Sequence, residues 1–195
     1  MIPTDIKLPV IEILEVLKSI LKQHHEAILQ APPGAGKTTL VPLALADEPW
    51  LKQKKILMLE PRRIATRAAA HRMADLLQEP VGQTVGYRMR LDTRVSSHTK
   101  IEVITEGILT RMLQEDPSLD DVGLVIFDEF HERSLDADLA LALCLKGRSL
   151  FREEDPLKVL IMSATLDSHK LEELTRAPVV RSEGKQYPVD LVYGK

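Results

Sequence analysis

The chain has 195 residues, 44% apolar and 28% charged, which suits one globular domain with a substantial core and excludes a disordered chain. No apolar run approaches the ~20 residues that span a bilayer, and MIPTDIKLPV lacks the basic and apolar stretches of a secretory leader, so a cytoplasmic protein is expected. A net charge of −3 and 4% aromatics argue against a surface that reads bases mainly by stacking, while leaving room for a local basic patch.

Apolar residues at Ile6, Val10, Ile13, Leu14, Leu17 and Leu21 predict an amphipathic helix over Ile6–Leu21. A short strand follows at Ala27–Gln30, then the loop APPGAGKT and a helix from Lys37 to about Ala46. Lys55–Leu59 reads as a buried strand, and Pro61 is expected to open a helix that runs to about Gln78. Strands are predicted at Thr84–Arg88 and Ile101–Ile104, a helix at Thr105–Gln114 and a strand at Val122–Phe127. The stretch Ser134–Leu145 alternates like a strand. Its alanine content and length, with Asp136 and Asp138 near the positive end of a helix dipole, favour a buried helix. Leu157–Met162 is a last strand. The single cysteine, Cys144, falls in an apolar run and reads as a small buried hydrophobe. The six histidines form no cluster with cysteine at zinc spacing.

Short apolar strands alternating with helices predict an α/β domain with a mainly parallel sheet and helices on both faces. In such sheets ligands sit beyond the carboxyl ends of the strands. After the first strand come Ala31, Pro32, Pro33, Gly34, Ala35, Gly36, Lys37, Thr38 and Thr39. Apart from Ala31 in place of the first glycine, this is the P-loop pattern of nucleoside-triphosphate-binding proteins. Gly34 and Gly36 allow successive N–H groups to turn toward an anion, with Ala35 between them, and the helix adds its positive end. Lys37 can reach the β- and γ-phosphates, and the Thr38 hydroxyl suits Mg²⁺. A glycine-rich turn with a chance lysine is the plain alternative. The strand before, the helix after and the Lys-Thr pair speak against it.

The strand ending at Phe127 delivers Asp128 and Glu129. Asp128 would hold Mg²⁺ directly or through water, and Glu129 would orient and deprotonate an attacking water. Ser163, Ala164 and Thr165 follow the last strand, in a place where a helix cap would also serve. Arg62 and Arg63 are expected in the first turn of a helix, against its dipole, which a phosphate partner would offset. Arg67 and Arg72 continue that basic face. Thr105-Glu106-Gly107 opens the next helix, where a hydroxyl and N–H groups could hold another phosphate.

Together these segments resemble the DEAH-box branch of superfamily 2 helicases. APPGAGKT resembles motif I, EPRRIATRAAAHRMA motif Ia, DEFHERS motif II and SAT motif III, with GYRMR and TEG as further blocks between. DEFH in place of DEAH, so that Phe130 replaces an alanine, and a glutamate before PRR resemble the bacterial HrpB type within that branch. The resemblance implies a RecA-like P-loop NTPase domain that binds ATP with Mg²⁺ and single-stranded nucleic acid, most often RNA. On that basis Arg63 and Thr105 would contact the strand, with Arg62 beside them. Arg72 would stack on the adenine, and His131, Ser163 and Thr165 would couple hydrolysis to strand movement.

The resemblance also implies that residues 1–182 form the first motor domain and that 183–195 lead toward a second RecA-like domain, which would supply arginine fingers. The chain alone is therefore expected to hydrolyse almost no ATP. A non-catalytic, nucleotide-switched nucleic-acid-binding module is the alternative, and it would need Lys37 but not Glu129. A small-molecule kinase is disfavoured, because no acceptor pocket or lid segment is evident.

Overall fold

The structure, a computed structural model, describes residues 8–164 and 175–183. A 3-10 turn, Pro9–Ile13, leads into α1 (Leu14–Gln23), then β1 (Glu26–Gln30) and α2 (Lys37–Leu45). Next come β2 (Lys55–Glu60), α3 (Arg63–Leu76), β3 (Val85–Met89), β4 (Asp92–Arg94) and β5 (Ile101–Thr105). The chain continues through α4 (Glu106–Glu115), β6 (Val122–Phe127), α5 (Leu135–Phe151), β7 (Lys158–Ser163) and β8 (Val179–Arg181).

The eight strands form one sheet in the order β4-β3-β5-β2-β6-β7-β1-β8. Every neighbouring pair is parallel except β3 and β4. Alternate residues of each central strand enter opposite layers. Leu29, Ile56, Met58, Ile126 and Leu160 pack with α1, α2 and α3, whereas Ile28, Leu57, Leu59, Phe127 and Ile161 pack with α4 and α5. Burial on both faces explains why β2 and β6 read as unbroken apolar runs. Cys144 lies in the second layer, where burial pushes its thiol up to about 12 and leaves it inert. No helix among the described residues is long and apolar enough to cross a membrane.

The sheet is mainly parallel and covered on both faces, as the sequence predicts. Several local readings change. The first helix is preceded by a 3-10 turn with proline at its start, and residues up to 7 lie outside the described ones. Pro61 does not open α3: Arg62, in extended backbone, is the cap residue and Arg63 is the first helical one. Proline disfavours helical angles in the residue before it, Glu60, which instead ends β2. Strand β4 is an added antiparallel edge, joined to β3 by a hairpin with Leu91 at positive φ. At three residues each, β4 and β8 are too short to show a period in sequence. Ser134–Leu145 is helical as favoured, and α5 continues to Phe151.

Strand order places the site. The parallel strands β1, β2, β5, β6 and β7 end on one edge, at Gln30, Glu60, Thr105, Phe127 and Ser163. The loop after β1 and the turn after β6 are separated only by β7, about 10 Å at the usual strand spacing. Long side chains can bridge that gap.

Candidate functional site

The loop between β1 and α2 is held by its own backbone. Ala31 N–H bonds to Ser163 O at 3.1 Å, Ala35 N–H to Pro32 O at 3.2 Å, and Val10 N–H to Ala35 O at 3.2 Å. Gly36 has φ +90, a left-handed backbone that favours glycine, and the Leu8 and Leu40 side chains pack against it. The first bond of the α2 ladder is Leu40 N–H to Gly36 O, so the N–H groups of Lys37, Thr38 and Thr39 precede it. These donors and the helix dipole make an anion cradle.

Two side-chain bonds join this loop to the turn after β6. Thr38 Oγ1 donates to Asp128 Oδ2 at 2.6 Å, and the buried Lys37 Nζ donates to Glu129 Oε1 at 2.8 Å. Glu129 adopts a left-handed backbone, φ +48, rare outside glycine and concentrated at functional sites. Its N–H donates to Asp128 Oδ1 at 2.8 Å. The 3-10 turn Phe130–Glu132 follows, with Phe130 buried edge-on against Phe127. Phe130 therefore extends the apolar layer and leaves both acids at the edge. His131 Nδ1 accepts from Ala164 N–H at 3.3 Å, which links the turn to the residues after β7. The same Nδ1 lies 3.4 Å from Glu129 Oε2.

A third acid, Glu60, stands behind Asp128. It is 2% exposed, and its Oε1 has no hydrogen-bond partner among the described residues. Burial first, and then the Asp128 charge, push the Glu60 carboxyl up to about 9. Burial also raises Asp128, opposed by the Thr38 hydrogen bond. Asp128 receives two donors, Thr38 O–H on one oxygen and Glu129 N–H on the other, which favour its ionised form, so the proton of the pair sits on Glu60. A glutamate before PRR is visible in sequence, but its place behind Asp128 is not, because the contact runs between strands.

The other predicted residues occupy separate places. Arg72 and Arg62 line one cavity of ≈ 480 Å³ with Thr38, Thr39, Glu60 and Glu129. The guanidinium of Arg62 is paired with Glu132. The offset for an arginine at the start of α3 therefore comes from within the chain, through an acid that the sequence reading did not single out. Arg63 donates to Arg90 O at 3.3 Å and lies with Ile64, Arg67 and His71 along an exposed groove. Thr105 caps α4 in extended backbone without a side-chain cap bond, and it sits opposite Glu60 in the β2–β5 register. Ser163 is buried at the end of β7, opposite Gln30. Thr165 lies outside the described residues.

A parallel α/β sheet with a glycine loop, Lys-Thr pair and paired acids at its carboxyl edge defines a P-loop nucleotide-binding domain. The DEAD/DEAH box helicase family matches residues 14–174, and the chain belongs to that family. It is 54% identical over 187 residues to the ATP-dependent RNA helicase HrpB of Escherichia coli (strain K12), covering 95% of this chain and 23% of that protein. It is 36% identical over 190 residues to the ATP-dependent RNA helicase HrpA of Borreliella burgdorferi, covering 97% of this chain and again 23% of the relative. A crystal structure of the Escherichia coli DEAH/RHA helicase HrpB superposes with a TM-score of 0.89 at 53% identity, over 94% of this chain and 23% of that one. A second, of the Escherichia coli DExH-box NTPase HrpB, gives 0.88 at 53% identity, over 96% and 23%. The RecA-like fold follows from these superpositions. The chain spans under a quarter of the length of these relatives.

Proposed function

We propose that this chain is the ATP-binding motor domain of an ATP-dependent RNA helicase of the HrpB type. In the longer protein it would couple Mg-ATP hydrolysis to movement on single-stranded RNA. The observation that carries the reading is the pair of bonds Thr38–Asp128 and Lys37–Glu129, which join two loops some 90 positions apart at the strand edge. The residues fit a metal-nucleotide. Thr38 and Asp128 put two oxygen ligands side by side beside the positive end of α2. Gly34, Ala35, Gly36, Lys37, Thr38 and Thr39 would receive the phosphates, and Arg72, across the same cavity, would lie against the base. Mg²⁺, when bound, would draw charge from the β- and γ-phosphate oxygens.

Lys37 would then exchange its bond with Glu129 for the phosphates and free that carboxylate to orient a water and take its proton. His131 would carry the change in Glu129 to Ala164 and Ser163 at the end of β7. Arg62, Arg63 and Thr105 are proposed to meet the RNA backbone. Residues 1–182 are assigned to this domain and 183–195 to the path toward a second one, of which 184–195 lie outside the described residues.

Glu129→Gln in the longer protein tests the reading. RNA-stimulated ATPase should fall by roughly 10²–10⁴-fold, while nucleotide affinity stays within a few-fold. Survival of the activity would instead leave Glu129 outside the chemistry and favour a nucleotide-switched binding module.

A further inference from the structure

Helix α5 buries Ala137, Ala140, Leu141, Cys144 and Gly147, and presents its opposite side to solvent. Leu135 is 83% exposed, Leu139 45%, Leu143 36% and Leu150 59%. Positions 136, 139, 143, 146 and 150 follow the 3-4-3-4 spacing of a coiled-coil seam. Their residues are Asp136, Leu139, Leu143, Lys146 and Leu150. Neither Asp136 nor Lys146 has an ion-pair partner among the described residues, although Asp138 of the same helix pairs with Arg133. The seam therefore has two leucines in its middle, with an unmatched acid before them and an unmatched base after them. Asp136 and Lys146 stand about 15 Å apart along the axis.

This pattern is complementary to itself under a two-fold axis. If two copies of α5 lie antiparallel with Leu139 of one opposite Leu143 of the other, the same register sets Asp136 opposite Lys146. Symmetry repeats both pairs at the other end. A parallel arrangement would set Asp136 against Asp136 and Lys146 against Lys146. We propose that the outer face of α5 is a homodimer interface, occupied by α5 of a second copy in this antiparallel register. Its centre is the Leu139–Leu143 layer and its ends are Asp136–Lys146 pairs. The surface belongs to the layer on the other side of the sheet from α2, and the seam uses none of the residues of the cradle at Lys37. Two leucine layers from one helix make a small interface, so the dimer should be weak, with Kd in the ~10–500 µM range.

Sedimentation velocity of the 195-residue chain from micromolar to millimolar concentration tests this. The expected result is a concentration-dependent monomer–dimer equilibrium. Leu143→Asp should weaken it at least about tenfold, and Asp136→Lys should do the same by setting two ammonium groups against each other at each end. The double variant D136K/K146D rebuilds the pairing with its signs exchanged and should restore association. Thermal melts of each variant separate lost pairing from lost fold, since all three positions are exposed. A chain that stays monomeric up to millimolar concentration overturns the proposal and leaves the stripe to another occupant. A dimer indifferent to Asp136→Lys, or not restored by the double change, overturns the register.

Discussion

At the level of single residues, the tightest electrostatic coupling lies in the acids behind the loop. Asp128 and Glu60 share a buried corner, and only one of them can carry charge without a large desolvation cost. Thr38 and the Glu129 N–H commit Asp128 to the ionised form, so Glu60 keeps its proton to about pH 9. Unfolded, the same carboxyl loses it near 4.5. Between those values the folded chain binds the extra proton, so this group's contribution to stability is greatest below pH 4.5 and declines as pH rises toward 9. Glu60→Gln removes the dependence. Its melting temperature should exceed the parent's by an amount that grows from about pH 5 to about pH 9. A gain of ~1 kcal/mol corresponds to roughly 2–4 °C in a domain of this size. A difference flat across that range would show that Glu60 is ionised in the folded chain. The left-handed Glu129 is a second local feature, because its strain is sustained by the Lys37 bond and by the turn bond from Glu132 N–H to Glu129 O.

At the level of elements, α5 shows how one helix is fixed at both ends. Ser134 Oγ accepts from Ala137 N–H at 2.9 Å and donates to Glu106 at 2.6 Å, tying the start of α5 to the start of α4. Further along, Gly147 meets the backbone of the α4–β6 connection. A Cβ there would come 2.2 Å from Pro117 O, which is backbone and cannot swing away. Gly147→Ala is therefore expected to destabilise the chain by about 1–3 kcal/mol despite alanine's better helix propensity. Chemical denaturation would check it, and a stabilised variant would mean that the connection gives way freely. Ser134→Ala should cost about 1 kcal/mol through the lost cap. That cap is readable from sequence, as a serine before Leu135-Asp136-Ala137-Asp138, whereas the demand for glycine at 147 comes only from the approach of Pro117.

At the level of the whole molecule, the expected activity follows from which groups the described residues carry. On the proposed reading they would supply a phosphate cradle, a metal-ligating pair and a base, while Arg62, the arginine nearest the acids, is paired with Glu132. ATP turnover by this chain, with or without RNA, should lie roughly 10³–10⁵-fold below that of the longer protein, the order that arginine fingers contribute elsewhere. Matching rates in a side-by-side assay would remove the need for groups beyond this chain. RNA affinity of the longer protein should fall steeply with salt if backbone contact dominates, and a flat salt dependence would point to base readout instead.

Fold class and the main ligand-edge positions are written in the sequence alone, because a strand, a glycine loop and a helix in succession are local patterns. Lys37, Thr38, Asp128 and Glu129 are legible for that reason. Which of these residues meet is settled only in the assembled sheet. Strand order β2-β6-β7-β1 brings Lys37 to Glu129 and Glu60 to Asp128, and the turn after β6 brings Glu132 to Arg62. Helical and strand periodicities report burial along a segment. They hold no information about which strand lies beside which, and pairings between residues 70 or 90 positions apart arise only when those strands come together.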